Sequence, residues 1–177
     1  QWEAYQQVNE RFAITLANIA PPNAIVWIHD YQLQLIPAML RKQRPDITIG
    51  FFLHIPFPPY ELFSRLPWRN EIIDGLLGCD LIGFQRPKGA TNFAACASQL
   101  RQSDIGENVI HNAGHRTQLG VFPISIDFAE VEEMAAGRAT RKLTSQIRTR
   151  LGDPEVILLG VDRLDYTKGI GLRLRAF

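Results

Sequence analysis

The sequence predicts an α/β fold built on a parallel sheet. Three short apolar runs (residues 24–28, 48–53 and 156–161) read as buried strands, and helical patterns separate them. Each run stops at a polar, ionisable cluster: His29-Asp30-Tyr31, then His54-Ile55-Pro56-Phe57-Pro58-Pro59, then Asp162-Arg163-Leu164-Asp165-Tyr166-Thr167-Lys168-Gly169. Open parallel sheets hold their ligands at the carboxyl ends of the strands, so these clusters are where chemistry is expected.

The elements follow in order. Tyr5, Val8, Phe12, Leu16 and Ile19 recur every three or four residues, an amphipathic helix that ends before Pro21-Pro22. After strand 24–28, residues 33–43 read as a helix closed by Arg44-Pro45. Strand 48–53 and a Pro-rich loop precede two short helices near 60–64 and 69–77, strand 80–84 and helix 89–101. Residues 103–118 are polar and weakly periodic, a loop or small hairpin. Strand character returns at 120–126. Asp127 is placed to cap a helix over 128–136, and a charged helix over 138–151 leads to the turn signal Gly152-Asp153-Pro154. A domain boundary is expected within 136–154.

Composition excludes several classes. A hydrophobic share of 46% with 21% charged residues is that of a globular protein, and a net charge of +1 gives no reason to expect nucleic acid or a membrane surface as partner. No apolar run approaches the roughly 20 residues that span a bilayer. The chain opens without Met or a secretion signal and stops in mid-pattern, which predicts an internal piece of a longer protein. Cys79 and Cys96 lie in apolar surroundings without metal or redox spacing, which predicts reduced core residues and a cytoplasmic location.

Arg163 and Lys168 stand in a loop before a helix that starts near Gly169. Two separated cations there suit a diphosphate better than a carboxylate, and the competing reading is a solvated surface loop. Asp30 reads either as the cap of helix 33–43 or as an acceptor for a substrate hydroxyl. His54 reads either as a satisfied structural histidine or as a donor to a sugar hydroxyl or to developing charge. His29 reads as a packed support. Gln85 lines the same edge or caps a helix, and Arg65, Trp68 and Arg69 read as a solvated helix end. His29, Asp30 and His54 lack helix-face metal spacing, and no Walker loop, GxGxxG fingerprint or GxSxG elbow is present.

The segments Trp27-Ile28-His29-Asp30-Tyr31, Gly50-Phe51-Phe52-Leu53-His54-Ile55-Pro56-Phe57-Pro58, Asp80-Leu81-Ile82-Gly83-Phe84-Gln85 and Asp162-Arg163-Leu164-Asp165-Tyr166-Thr167-Lys168-Gly169 closely resemble the trehalose-6-phosphate synthase family. Trp2-x-x-Tyr5-x-x-Val8-Asn9-x-x-Phe12-Ala13 fits the helix that precedes them there. The resemblance implies a retaining glycosyltransferase of GT-B type, with two Rossmann-like domains. Residues 1–137 would be part of the amino-terminal, acceptor-binding domain, 138–154 the boundary, and 155–177 the first β-α unit of the nucleotide-sugar-binding domain. It implies glucosyl transfer from UDP-, GDP- or ADP-glucose to glucose 6-phosphate, forming α,α-trehalose 6-phosphate.

Residue by residue, Asp30 matches the acceptor contact and His54 the donor-glucose contact, with Ile55 shaping that pocket. Arg163 and Lys168 match the pair on the donor diphosphate. No cofactor or metal is implied. The partners are the two small-molecule substrates, not nucleic acid or membrane, and a homo-oligomer is left open. Other parts of the family's pattern, the acceptor-phosphate and ribose groups among them, lie outside these residues, so this piece alone is expected to be inactive. Two readings compete: a pseudo-glycosyltransferase that couples cyclitols, and a non-catalytic sugar-phosphate sensor. A dinucleotide-dependent oxidoreductase is disfavoured by the missing fingerprint.

Overall fold

The structure, a computed structural model, describes residues 1–177 and divides into two compact units, Gln1–Ser125 and Ile126–Phe177. The first unit carries a six-stranded sheet. Its strands are β1 (Ile25–His29), β2 (Thr48–Leu53), β3 (Leu81–Phe84), β4 (Asp104–Gly106), β5 (Val109–Asn112) and β6 (His115–Val121), in the order β1-β2-β3-β6-β5-β4. The pairs β1–β2, β2–β3 and β3–β6 are parallel, while β6–β5 and β5–β4 are antiparallel. The expected parallel sheet is therefore a mixed one. The polar stretch 103–118 forms β4, β5 and the start of β6, because a sheet edge with one side in water tolerates polar residues. Strand character at 120–126 likewise shifts back, ending at Val121.

Helix α1 (Trp2–Ile19) precedes β1, and α2 (Ile36–Gln43), α3 (Tyr60–Phe63), α4 (Arg69–Leu76) and α5 (Pro87–Arg101) lie in the connections between strands. The core lies on one face of the sheet. Val26 and Ile28, Ile49, Phe51 and Leu53, and Ile82 and Phe84 alternate inward against Ile36, Leu40, Ile73, Leu76 and Phe93. Burying a side chain of that size is worth about 1.5–3 kcal/mol. The opposite face is thinner. Trp27 lies over Gly50, Phe52 over Gly83, and Phe122 over Gly83 and Gly120, places where a Cβ would meet the rings. Ile25 and Trp27, on that face, stay 80% and 67% exposed.

The periodicity of α1 locates its buried side imperfectly. Asn9 and Ala13 are buried and Trp2, Tyr5, Leu16 and Ala17 pack beside them, whereas Val8, Phe12 and Ile19 face outward. Helix 33–43 is also shorter than expected: a 3₁₀ turn, Tyr31–Leu33, precedes α2, which starts only at Ile36. Below the sheet, the Arg41 guanidinium donates to Asp80 Oδ2 (2.5 Å), and that oxygen also accepts from the Ile49 N–H. This ion pair ties α2 to the starts of β2 and β3.

The second unit contains α6 (Phe128–Ala136), α7 (Arg138–Arg150), a 3₁₀ turn Tyr166–Lys168 and α8 (Ile170–Ala176). Asp127 caps α6 by accepting from the Glu130 N–H at 3.1 Å, as its position predicts. The strand expected at 156–161 is absent. These residues have no neighbouring strand, and an unpaired strand leaves its peptide groups to water.

Candidate functional site

The site in the first unit is built where β1 and β2 end. The Asp30 N–H continues the ladder by donating to Phe52 O at 2.8 Å. The next rung is made by a side chain, as the His54 N–H donates to Asp30 Oδ1 at 3.2 Å. Gln85 repeats the device after β3, its Oε1 accepting from the Ile124 N–H at 2.9 Å. Asp30 is not a helix cap, since its carboxylate accepts nothing from the 3₁₀ turn that follows. It adopts φ 69° and ψ 171°, a region essentially reserved for glycine. Strain of about 1–3 kcal/mol is held there by the surrounding bonds.

His29 and His54 stand side by side. His29 Nδ1 lies 3.0 Å from His54 Nε2, and the rings are stacked with centroids 5.3 Å apart. Trp27 flanks the first ring and Phe52 the second. Both histidines are exposed, as is Ile55 beside them. The sequence-predicted pair Asp30 and His54 therefore comes together, with Ile55 adjoining. No three His, Cys, Asp or Glu side chains are arranged to hold a metal ion.

In the second unit Arg163 and Lys168 are exposed and take part in no ion pair. The cation beside them is committed: Arg173 donates to Asp162 Oδ2 at 2.5 Å. Asp165 accepts from the backbone N–H and hydroxyl of Thr167, both at 2.8 Å. Those bonds hold its carboxyl below the usual range, helped by the charges of Arg163 and Lys168. Gly169 follows in the left-handed region at φ 61° and lets the chain turn into α8. Two unpaired cations around a tight turn are equipped to meet an anion.

Comparison with known proteins gives this geometry a context. The model of "Glycosyltransferase family 20" matches residues 1–177. The chain belongs to glycosyltransferase family 20. It is 54% identical over 187 residues to the trehalose-6-phosphate synthase of Mycolicibacterium gilvum (strain PYR-GCK), covering 99% of this chain and 37% of that protein. Among solved structures, the E. coli protein bound with UDP-2-fluoro glucose aligns with a TM-score of 0.81 and 36% identity, over 99% of this chain and 39% of that one. The UDP-forming α,α-trehalose-phosphate synthase from Burkholderia xenovorans in complex with glucose-6-phosphate aligns at 0.79 with 29% identity and the same coverages. The chain thus spans under two fifths of the length of these relatives. The α/β architecture expected of a family 20 member, with its mostly parallel Rossmann-like sheet, is the one observed.

Sequence reasoning missed how α1 of this family 20 chain supports the Asp30 loop. Asn9, fully buried, donates to Gln32 O at 3.0 Å and accepts from the Leu35 N–H at 3.1 Å. The Tyr5 hydroxyl donates to Tyr31 O (2.7 Å) and accepts from the Gln34 N–H (3.1 Å). Burial pushes the Tyr5 phenol up, opposed by the bond from the Gln34 N–H and by the Asn9 side chain. One signal was available: Asn9 falls one turn after Tyr5 and one turn before Ala13, a polar residue on an apolar stripe. Trp68, at the start of α4, stays 36% exposed as a helix end but also stacks on Trp2 with centroids 4.8 Å apart. Cys79 and Cys96 are buried and free, and burial pushes both thiols up, Cys96 to about 11. No helix is long and apolar enough to cross a membrane.

Proposed function

We propose that the protein carrying this chain is a hexosyltransferase. It moves glucose from a nucleotide-glucose, UDP-glucose first, to glucose 6-phosphate with retained configuration and forms α,α-trehalose 6-phosphate. One observation carries the reading: Asp30 and His54 are locked at one sheet edge of a chain that matches the family over its whole length. The ligands named for the E. coli and Burkholderia neighbours are a nucleotide-sugar analogue and glucose-6-phosphate, the two substrate classes required.

In this reading Asp30 accepts a hydrogen bond from an acceptor hydroxyl. Its carboxylate is aimed by the His54 N–H and by a strained backbone, so little reorganisation is needed on binding. His54 donates to the donor glucose, and Ile55 shapes the apolar wall of that pocket. Arg163 and Lys168 hold the donor diphosphate. They contribute most as the glycosidic bond breaks and negative charge grows on the leaving phosphate, and it is this difference that lowers the barrier. The departing phosphate helps take the acceptor proton, so neither a protein nucleophile nor a metal is needed. Residues 1–137 belong to the acceptor half, 138–154 to the connection and 155–177 to the donor half. Reaction in the cytoplasm, where both thiols stay reduced, completes the proposal.

The test uses the full-length protein, mixed with glucose 6-phosphate and UDP-, GDP- or ADP-glucose in turn. The expected result is nucleoside diphosphate release matched by a non-reducing disaccharide phosphate. Sugar-phosphate binding without turnover on any donor would replace the proposal with a sensor.

A further inference from the structure

We propose that His29 is a positioning residue for His54: it donates from Nδ1 to His54 Nε2 and so fixes the tautomer and aim of the ring that meets the donor sugar. This rests on the reading of His54 as the donor-glucose contact. The geometry is 3.0 Å between the two nitrogens, with the ring planes 24° from parallel.

Two neutral imidazoles at that distance can share only one proton between the facing nitrogens. If His54 supplies it, His54 Nδ1 is bare and can only accept. If His29 supplies it, His54 Nε2 accepts and Nδ1 carries the remaining N–H. Only the second arrangement offers a donor to a sugar hydroxyl or to charge developing near the reacting carbon. The tautomer of a functional histidine is set by the bond its other nitrogen makes, and His29 is the side chain that makes it.

The surroundings fix both rings in this relation. His29 follows Trp27 by two residues on β1 and lies tilted against it, centroids 4.5 Å apart. His54 follows Phe52 by two residues and lies 4.8 Å from that ring. The backbone of His54 is bound to Asp30 Oδ1, whose own N–H is bound to Phe52 O. β1 and β2 are in register, with His29 opposite Phe52, so the dyad is a product of strand pairing. One short segment, His29-Asp30, therefore sets both parts of the partner histidine: Asp30 its backbone and His29 its ring.

The test compares wild type, His29→Phe and His29→Asn in the full-length protein. ¹⁵N-detected NMR of the histidine rings, assigned with His54→Gln, reads the His54 tautomer without substrate. Wild type is expected to carry its proton on His54 Nδ1, and His29→Phe to move it largely to Nε2. In kinetics, His29→Phe is expected to lower kcat/KM for the nucleotide-glucose roughly tenfold, the weight of one hydrogen bond, with KM for glucose 6-phosphate within about twofold. His29→Asn, which keeps an N–H donor near Nδ1, is expected to recover most of the loss.

A wild-type His54 protonated on Nε2 overturns the proposal. So does a His29→Phe enzyme with unchanged kinetics, or a loss that appears without any change of tautomer and is not recovered by Asn. Should His29→Phe fail to fold, the wild-type tautomer and His29→Asn decide alone. Absence of glucosyl transfer in wild type would sink the functional reading, while the NMR comparison still decides whether His29 sets the His54 ring.

Discussion

Residues 48–54 and 156–163 are written in the same language and end in opposite states. Both are apolar runs that stop at ionisable groups. In β2 each edge is paired, and Ile49, Phe51 and Leu53 are almost fully buried. In the other run Leu158, Leu159 and Val161 are 77%, 85% and 82% exposed. The difference lies in partners rather than in propensity: a strand is stabilised by its neighbours, and an isolated one pays its ordering entropy unaided. The candidate site groups inherit this. Asp30 and His54 have defined partners because their strands are paired, whereas Arg163 and Lys168 sit on a turn whose only fixed bonds are local.

The largest expected contrast is in amide hydrogen exchange of this chain. Amides of β2 should exchange roughly a thousandfold or more slower than unstructured controls, reflecting global unfolding. Amides 156–161 should exchange nearly as fast as those controls. In the full-length protein the second set should become protected. Protection of 156–161 in this chain by itself would break the comparison.

A pair of substitutions gives the energetic version. Phe51→Ala should cost about 3–5 kcal/mol in urea unfolding of the first unit. Leu159→Ala, from a side chain already in water, should stay within about 0.5 kcal/mol in this chain. Equal costs would mean that the 156–161 run is packed in solution.

The same contrast explains what the sequence could and could not reveal. The strands at 48–53 and 80–84 were legible because they are mostly buried, and 24–28 because its residues are apolar throughout, even though Ile25 and Trp27 stay exposed. The 103–118 segment was ambiguous because β4 is fully exposed and its polar residues carry no alternation. The run at 156–161 was misread because local pattern reports what a strand would bury, not whether a neighbour is there. For the candidate site, the sequence places Asp30 and His54 directly after strands, and the structure has them there. Their mutual bond was not legible, because it depends on β1–β2 register and on a backbone angle foreign to aspartate. The bonds of Tyr5 and Asn9 were hidden: Tyr5 read as one more member of the apolar stripe, and Asn9 lay off a face drawn through Val8 and Phe12, which are exposed.

A smaller effect sharpens that point about backbone. Asp30 at φ 69° and Gly169 at φ 61° both turn the chain where L side chains are strained. One unit keeps an aspartate there and the other a glycine. Asp30→Gly and Asp30→Ala both lose the bond to the His54 N–H, so their difference isolates the backbone. Glycine should be more stable than alanine by about 1–2 kcal/mol, the reverse of the usual order. Gly169→Ala should likewise destabilise, in the second unit, by about 1 kcal/mol. Alanine proving the better residue at 30 in urea unfolding would mean that the Asp30 backbone relaxes away from this geometry.

The smallest effect compares one carboxylate from each unit. Asp46 is held well below the usual range by the Arg44 guanidinium and by the Asn23 N–H. That guanidinium is itself anchored on the carbonyls of Ala17, Ala20 and Pro21, so the depression depends on packing across the unit. Asp165 is depressed by Thr167, two residues away, and by the charges of Arg163 and Lys168, all within one turn. In both cases the folded pKa lies below the unfolded one. The stabilisation is therefore complete above the ordinary carboxylate range near pH 4 and is lost as pH falls through the folded value. Carboxyl ¹³C titrations in water and in urea separate the two causes. Asp46 should return to an ordinary pKa in urea, where Arg44 loses its anchors. A peptide of residues 160–177 should keep part of the Asp165 depression, because a side chain bonded to its own turn needs no tertiary neighbour. If the peptide titrates like free aspartate, the turn carrying Arg163 and Lys168 needs the rest of the chain to form, and the two regions differ less than their strands suggest.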